Sequence, residues 1–113
     1  MSFLSRLFGG QSTANHPVIL PADYKARFVD GKEKHTLVDV RTVDEYKSGY
    51  IPGAINISVQ ELNGKLNKIP KDKPVVVYCV KGKWVSQKAA TYLSAQGFDV
   101  RSLDGGINAW DAR

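Results

Sequence analysis

Five consecutive residues limit the fold of this chain more than any other part of the sequence. The segment Pro74-Val75-Val76-Val77-Tyr78 is an unbroken apolar run, rich in β-branched residues, that leads directly into Cys79. A run of this length and composition predicts a strand, and the lack of polar alternation predicts that both faces of the strand are buried. Strands buried on both faces are typical of parallel sheets, so the segment favours a parallel sheet.

The remaining segments alternate between strand and helix patterns. Further strands are predicted over residues 36–40, 54–57 and 99–103. Helices are predicted over about 21–29, 42–49, 59–66 and 86–97, and after the turn at 104–106. Thr42 with Glu45, and Ser58 with Glu61, have the spacing of capping boxes at two helix starts. This alternation predicts three layers, with a central, mostly parallel sheet flanked by helices.

The length of 113 residues fits one domain, and we assign residues 17–113 to it. Residues 1–16 are expected to form a flexible or amphipathic N-terminal tail. Within the tail, residues 1–8 place four apolar side chains on one side of a short helix. We favour a frayed terminus over contact with a membrane surface or a partner. The sequence contains no stretch long enough to span a bilayer, so no transmembrane segment is expected.

Charge and cysteine content narrow the class of protein further. The net charge is +5, but the basic residues are scattered and not interleaved with aromatic ones, so no nucleic acid partner is expected. A single cysteine excludes an intramolecular disulfide and favours a reducing cytoplasmic location. His16 and His35 lie far from Cys79 in the sequence and form no metal-site pattern. We expect neither a metal nor an organic cofactor.

Cys79 occupies the position where a parallel α/β sheet places its chemistry. It follows a strand and precedes a helix that Ser86 is expected to open, so its sulfur should face free backbone amides and the positive end of a helix dipole. Both lower the pKa of a thiol, and the lysines of the loop, Lys81 and Lys83, would add to this effect. Gly82 allows the loop to curl inward. The position alone fits a reactive thiolate and a buried structural cysteine equally well.

Three motifs, in order, resemble the rhodanese family over about residues 21–110. The first is Asp39-Val40-Arg41 with Glu45-Tyr46 and with Gly49-Tyr50-Ile51-Pro52-Gly53-Ala54-Ile55-Asn56-Ile57. The second is Tyr78-Cys79 with Gly82, Ala89-Ala90, Leu93 and Gly97-Phe98. The third is Leu103-Asp104-Gly105-Gly106-Ile107 with Ala109-Trp110.

The resemblance implies a sulfurtransferase that carries sulfane sulfur as a persulfide on Cys79. Its substrates would be a small donor such as thiosulfate, or a protein persulfide, and an acceptor such as cyanide or a thiol. The cradle for the anionic sulfur would be the loop after the cysteine, formed by Val80, Lys81, Gly82, Lys83, Trp84, Val85 and Ser86. Asp39 and Arg41 are supporting residues, for which we favour a structural salt bridge over direct catalysis.

The loop departs from the family pattern in one respect that affects function. Relatives carry an arginine before the serine that opens the helix, whereas here the matching position is Trp84, or Val85 if the extra residue of this loop lies earlier. Without arginine the loop cannot grip a tetrahedral oxyanion through two parallel hydrogen bonds, which disfavours phosphatase or arsenate-reductase chemistry. Trp84 is expected to cover the pocket or form an apolar wall. A non-catalytic binding or regulatory module is the alternative function.

Overall fold

The computed structural model describes residues 17–112 of the chain. The tail of residues 1–16, with its suggested membrane contact, lies outside the described residues. Among the described helices, none is both long and apolar enough to cross a membrane.

A five-stranded sheet forms the middle layer, and every neighbouring pair of strands in it is parallel. The strands are β1 (Val18–Ile19), β2 (Thr36–Asp39), β3 (Ile55–Asn56), β4 (Val75–Tyr78) and β5 (Val100–Leu103). Their order across the sheet is β1-β5-β4-β2-β3, so β4 lies at the centre. The register pairs Val77 with Val38 on one side and with Ser102 on the other. The predicted α/β fold with a mostly parallel sheet is confirmed.

Helices cover both faces of the sheet. They are α1 (Pro21–Tyr24), which continues as a π-helical segment (Lys25–Asp30), α2 (Val43–Lys47), a 3₁₀ helix (Leu62–Lys68), α3 (Trp84–Ala95) and α4 (Gly106–Ala112). The side chains of β4 alternate between two cores. Val75 and Val77 pack with the α3 side, and Val76 and Tyr78 pack with the α1 and α4 side. All four are completely buried, as the apolar run predicts.

One of the two predicted capping boxes is present and the other is wrong. The Thr42 hydroxyl accepts a hydrogen bond from the Glu45 amide at 3.2 Å, and the Glu45 carboxylate accepts one from the Thr42 amide at 3.1 Å. Ser58 and Glu61 cap no α-helix over residues 59–66, because a 3₁₀ helix begins instead at Leu62. Asn63, Gly64 and Asn67 within it are weak helix formers, and the Glu61 carboxylate turns to Lys65, 3.5 Å away.

Two further elements differ from the sequence prediction. The edge strand β1 was not predicted, since two residues carry too little pattern to be recognised. Helix α3 begins at Trp84, two residues before the predicted start at Ser86. Ser86 consequently lies inside the first turn of α3, where its side chain can face the end of β4.

Candidate active site

Cys79 lies at the floor of a cleft between the carboxyl ends of β2 and β4, directly after Tyr78. The side chain is 6% exposed, and the cleft has a volume of about 740 Å³. The apolar side chains lining the cleft are those of Val40, Val43, Val59, Val80, Trp84 and Val85. The charged ones are those of Arg41, Glu45, Glu61, Lys81 and Lys83. The predicted loop and the predicted sheet edge thus meet around the sulfur.

The loop after Cys79 is held in shape by the turn that follows β5. Gly82 has φ +68°, and a Cβ atom there would overlap the carbonyl oxygen of Leu103. The first turn of α4 also donates into the loop, with Ile107 N to Cys79 O at 3.0 Å and Asn108 N to Val80 O at 3.1 Å. The sequence prediction assigned α4 no part in the site. The only available signal was the motif Asp104-Gly105-Gly106 that precedes Ile107.

Hydrogen bonds to the sulfur favour the thiolate of Cys79. Burial raises the pKa of this thiol. The Ser86 hydroxyl and the backbone amides of Ser86, Lys83 and Gly82 lower the pKa by more than burial raises it, so the net pKa is below its usual value. Three of the amides in the expected cradle, those of residues 82, 83 and 86, therefore face the sulfur. Such an arrangement suits an anionic sulfur in a site that is largely closed to water.

A buried pair of serines lies behind Cys79. The thiol donates to the Ser86 hydroxyl at a sulfur–oxygen distance of 3.3 Å, and the Ser86 and Ser102 hydroxyl oxygens are 2.8 Å apart. Both serines are completely buried. Ser102, on β5, was missed by sequence reasoning because it is distant in sequence and a lone serine in a strand carries no motif.

Arg41 and Asp39 form a buried ion pair beside the cleft. The Arg41 Nη2 donates to Asp39 Oδ2 at 2.7 Å and to the carbonyl oxygen of Gly49 at 2.6 Å, while Nε donates to Asp39 Oδ1 at 3.0 Å. Asp39 is 0% exposed and Arg41 is 9% exposed. These contacts tie the end of β2 to the segment after α2, and a structural salt bridge remains the role that we expect for the pair.

The outer part of the loop faces solvent. Lys81, Lys83 and Val85 are exposed, Val80 is half-buried, and Trp84 is 80% exposed at the start of α3. The Trp84 side chain, although largely exposed, is one of those that line the cleft.

A model of the rhodanese-like domain matches residues 20–113. The chain belongs to the rhodanese-like domain family. The match covers the cleft, the loop after Cys79 and the turn that supports it. In the described part of the chain, no three or more His, Cys, Asp or Glu residues lie close enough together to hold a metal ion.

This rhodanese-like domain is similar in sequence to two thiosulfate sulfurtransferases and similar in structure to a rhodanese-related protein. The thiosulfate sulfurtransferase GlpE of Shewanella oneidensis is 44% identical over 66% of this chain and 73% of its own. GlpE of Pseudomonas savastanoi pv. phaseolicola is 43% identical over 67% of this chain and 72% of its own. The crystal structure of a rhodanese-related protein from Thermoplasma volcanium has a TM-score of 0.77 at 31% identity, covering 86% of this chain and 92% of that one.

Proposed function

We propose that this rhodanese-type sulfurtransferase carries sulfane sulfur on Cys79, and that thiosulfate is one of its donors. The observation that supports this most directly is the sulfur of Cys79 at the floor of a cleft, with three backbone amides facing it and the Ser86 hydroxyl in contact with it. A thiolate is the nucleophilic form of cysteine, and this environment favours it. The thiosulfate named for the GlpE relatives is the first donor to test.

The first half of the reaction loads the enzyme. The Cys79 thiolate attacks the outer sulfur of thiosulfate, a new sulfur–sulfur bond forms, and the bond to the sulfonate sulfur breaks. Sulfite leaves with the electron pair of that bond, so no external oxidant or reductant is needed. The charge then lies on the outer sulfur of the persulfide, where the amides of the loop can stabilise it.

The second half returns the thiolate. A cyanide ion or a thiolate acceptor attacks the outer sulfur, the bond to the Cys79 sulfur breaks, and thiocyanate or an acceptor persulfide leaves. The Cys79 sulfur is the leaving group in this step. The same hydrogen bonds that favour its thiolate therefore also assist its departure, because a thiol of lower pKa leaves faster.

The cleft is large compared with thiosulfate or cyanide, and part of its wall is apolar. Val43, Val59 and Trp84 are exposed there, and Lys81 and Lys83 supply positive charge at the rim. We infer that a thiol with an apolar body, or a cysteine on a protein surface, serves as acceptor alongside cyanide. A free thiol persists most readily in a reducing compartment, so the proposed activity suits the expected cytoplasmic location.

Intact-protein mass spectrometry under non-reducing conditions tests the proposal. The protein is incubated with thiosulfate, and separately with a small-molecule persulfide. We expect a gain of one sulfur mass that cyanide or dithiothreitol removes and that the Cys79→Ser variant does not show. Because the chain has a single cysteine, a persulfide can form only at Cys79. A folded protein with a reactive thiol that gains no sulfur from either donor would contradict the proposal and favour a binding module.

A further inference from the structure

The sulfur of Cys79 is the end of a chain of hydroxyl groups that runs into the core. Ser86 in α3 contacts the sulfur, and Ser102 in β5 contacts Ser86, at the distances given above. Ser102 is next to β4 in the sheet, paired with Val77 in the register. Three different elements, the end of β4, helix α3 and strand β5, thus contribute one polar group each to a line that is closed to water.

The direction of these hydrogen bonds depends on the charge of the sulfur. A hydroxyl group has one hydrogen to donate and can accept through its lone pairs. When Cys79 is a thiol, its hydrogen points to Ser86, which is free to donate to Ser102. When Cys79 is a thiolate, Ser86 has to donate to the sulfur, and Ser102 then donates to Ser86. The line can run either way without moving a heavy atom.

The two directions are not equally strong. A thiol is a weak donor, whereas a hydrogen bond to an anionic acceptor is about twice as strong as a neutral one. A hydroxyl that accepts a hydrogen bond also becomes a better donor, and this effect is greatest in a buried site. Ser102 therefore strengthens the hydrogen bond from Ser86 more when the sulfur carries a charge.

We propose that Ser102 is a positioning residue of the sulfur-transfer site, whose hydroxyl keeps that of Ser86 directed at the sulfur of Cys79 whenever that sulfur is an anion. A role of Ser102 in sulfur transfer rests on the proposed function of Cys79. The hydrogen bonding itself depends only on the charge of the Cys79 sulfur. Without Ser102, the Ser86 hydroxyl can turn to a carbonyl oxygen three or four residues earlier, as serines within helices can do.

Titration of the single thiol tests this directly, by the rate of alkylation and by the absorbance of the thiolate as functions of pH. At a fixed pH in the transition we expect Ser86→Ala to raise the thiol-to-thiolate ratio about three- to tenfold, the effect of one hydrogen bond of ordinary strength. We expect Ser102→Ala to raise it about two- to threefold. The double variant should match Ser86→Ala, because Ser102 acts only through Ser86.

Three controls separate this role from a loss of packing. Ser102→Thr keeps the hydroxyl and should restore the titration of the natural protein. Ser94→Ala removes an exposed hydroxyl from α3, the helix that contains Ser86, and should leave the titration of Cys79 unchanged. Circular dichroism and thermal unfolding establish that each variant is folded. The charged side chains that line the cleft with Cys79, those of Arg41, Glu45, Glu61, Lys81 and Lys83, are the same in every variant.

Two results would overturn the proposal. One is a folded Ser102→Ala protein that titrates like the natural one, and the other is a double variant in which the two effects simply add. The titration needs no sulfur donor, so it is independent of the proposed activity. If the expected ratios are found but no donor loads Cys79, the role of Ser102 stands and the proposed function fails.

Discussion

Gly82 and Gly106 lie against each other where the loop after β4 meets the turn after β5. A Cβ atom built on Gly106 would lie 2.7 Å from the amide nitrogen of Gly82, and one built on Gly82 would lie 2.7 Å from the amide nitrogen of Gly106. Both residues have positive φ angles, of 68° and 58°, respectively. The sulfur cradle therefore depends on two loops that approach more closely than any side chain would allow.

Replacing Gly106 should destabilise the protein strongly. In Gly106→Ala the new methyl group would overlap the carbonyl oxygens of Cys79 and Val80, in a backbone conformation that alanine rarely adopts. We expect the free energy of unfolding to fall by about 3 kcal/mol or more. Urea unfolding measures this. Gly64→Ala is the matched control: a Cβ there meets nothing within 4 Å, so this variant should not lose stability and should gain up to about 1 kcal/mol.

Replacing Arg41 should lower the stability of the protein and leave sulfur loading unchanged. Arg41→Ala leaves the carboxylate of Asp39 buried without its partner, and we expect the free energy of unfolding to fall by about 3–5 kcal/mol. The double variant Asp39→Asn with Arg41→Ala should be more stable than Arg41→Ala alone, because it removes the uncompensated charge. Denaturant unfolding of the three proteins measures both effects.

Sulfur loading of the Arg41→Ala protein tells structural support from substrate contact. If the guanidinium only holds the end of β2, the folded fraction should load sulfur to the same extent as the natural protein. A protein of unchanged stability that no longer loads would show instead that Arg41 binds the donor.

Trp84 should affect the choice of acceptor with little effect on stability. Its side chain is 80% exposed, so Trp84→Ala should change the free energy of unfolding by less than about 0.5 kcal/mol. The KM for a thiol acceptor with an apolar body should rise about three- to tenfold, because the indole supplies part of the cleft wall. The KM for cyanide should not change. Leu20→Ala, an exposed apolar residue outside the cleft lining, is the control.

His35 should make stability depend on pH below neutrality. Its Nδ1 lies 3.1 Å from the carbonyl oxygen of Glu33, so Nδ1 carries the hydrogen, and its Nε2 accepts from the Tyr24 hydroxyl at 2.7 Å. Burial lowers the pKa of His35, and the charges of Arg27 and Lys73 lower it further, while the carbonyl and carboxylate of Glu33 oppose this. The folded state therefore favours the neutral ring.

The sign follows from this lowered pKa. The contribution of His35 to stability is fully present above the pKa of histidine in the unfolded chain, about 6.5. It is lost as the pH falls through the lower pKa of the folded state, because the unfolded chain binds the proton more readily. Urea unfolding between about pH 8 and about pH 5 should show a steeper loss for the natural protein than for His35→Gln. Equal slopes in the two proteins would exclude His35 as the cause.

Elements with a strong local signal were predicted correctly from the sequence. The apolar run Val75–Tyr78 indicated a strand buried on both faces, and Thr42 with Glu45 indicated a helix start, because both depend on neighbours in the chain. The pattern of Ser58 with Glu61 has the same local form but failed. The residues that follow it, Asn63 and Gly64, propagate a helix poorly, and a capping box alone cannot compensate for them.

The sequence by itself determined the alternation of strands and helices after β1, the place of Cys79 at the carboxyl end of a strand, and the family. Those properties follow from periodicity and from short motifs. Only the tertiary structure decided what surrounds the sulfur. Ser102 reaches Ser86 because β5 lies beside β4, and Gly106 supports Gly82 because α4 begins beneath the loop. Contacts between residues far apart in sequence arise from the packing of whole elements, and no local pattern contains them.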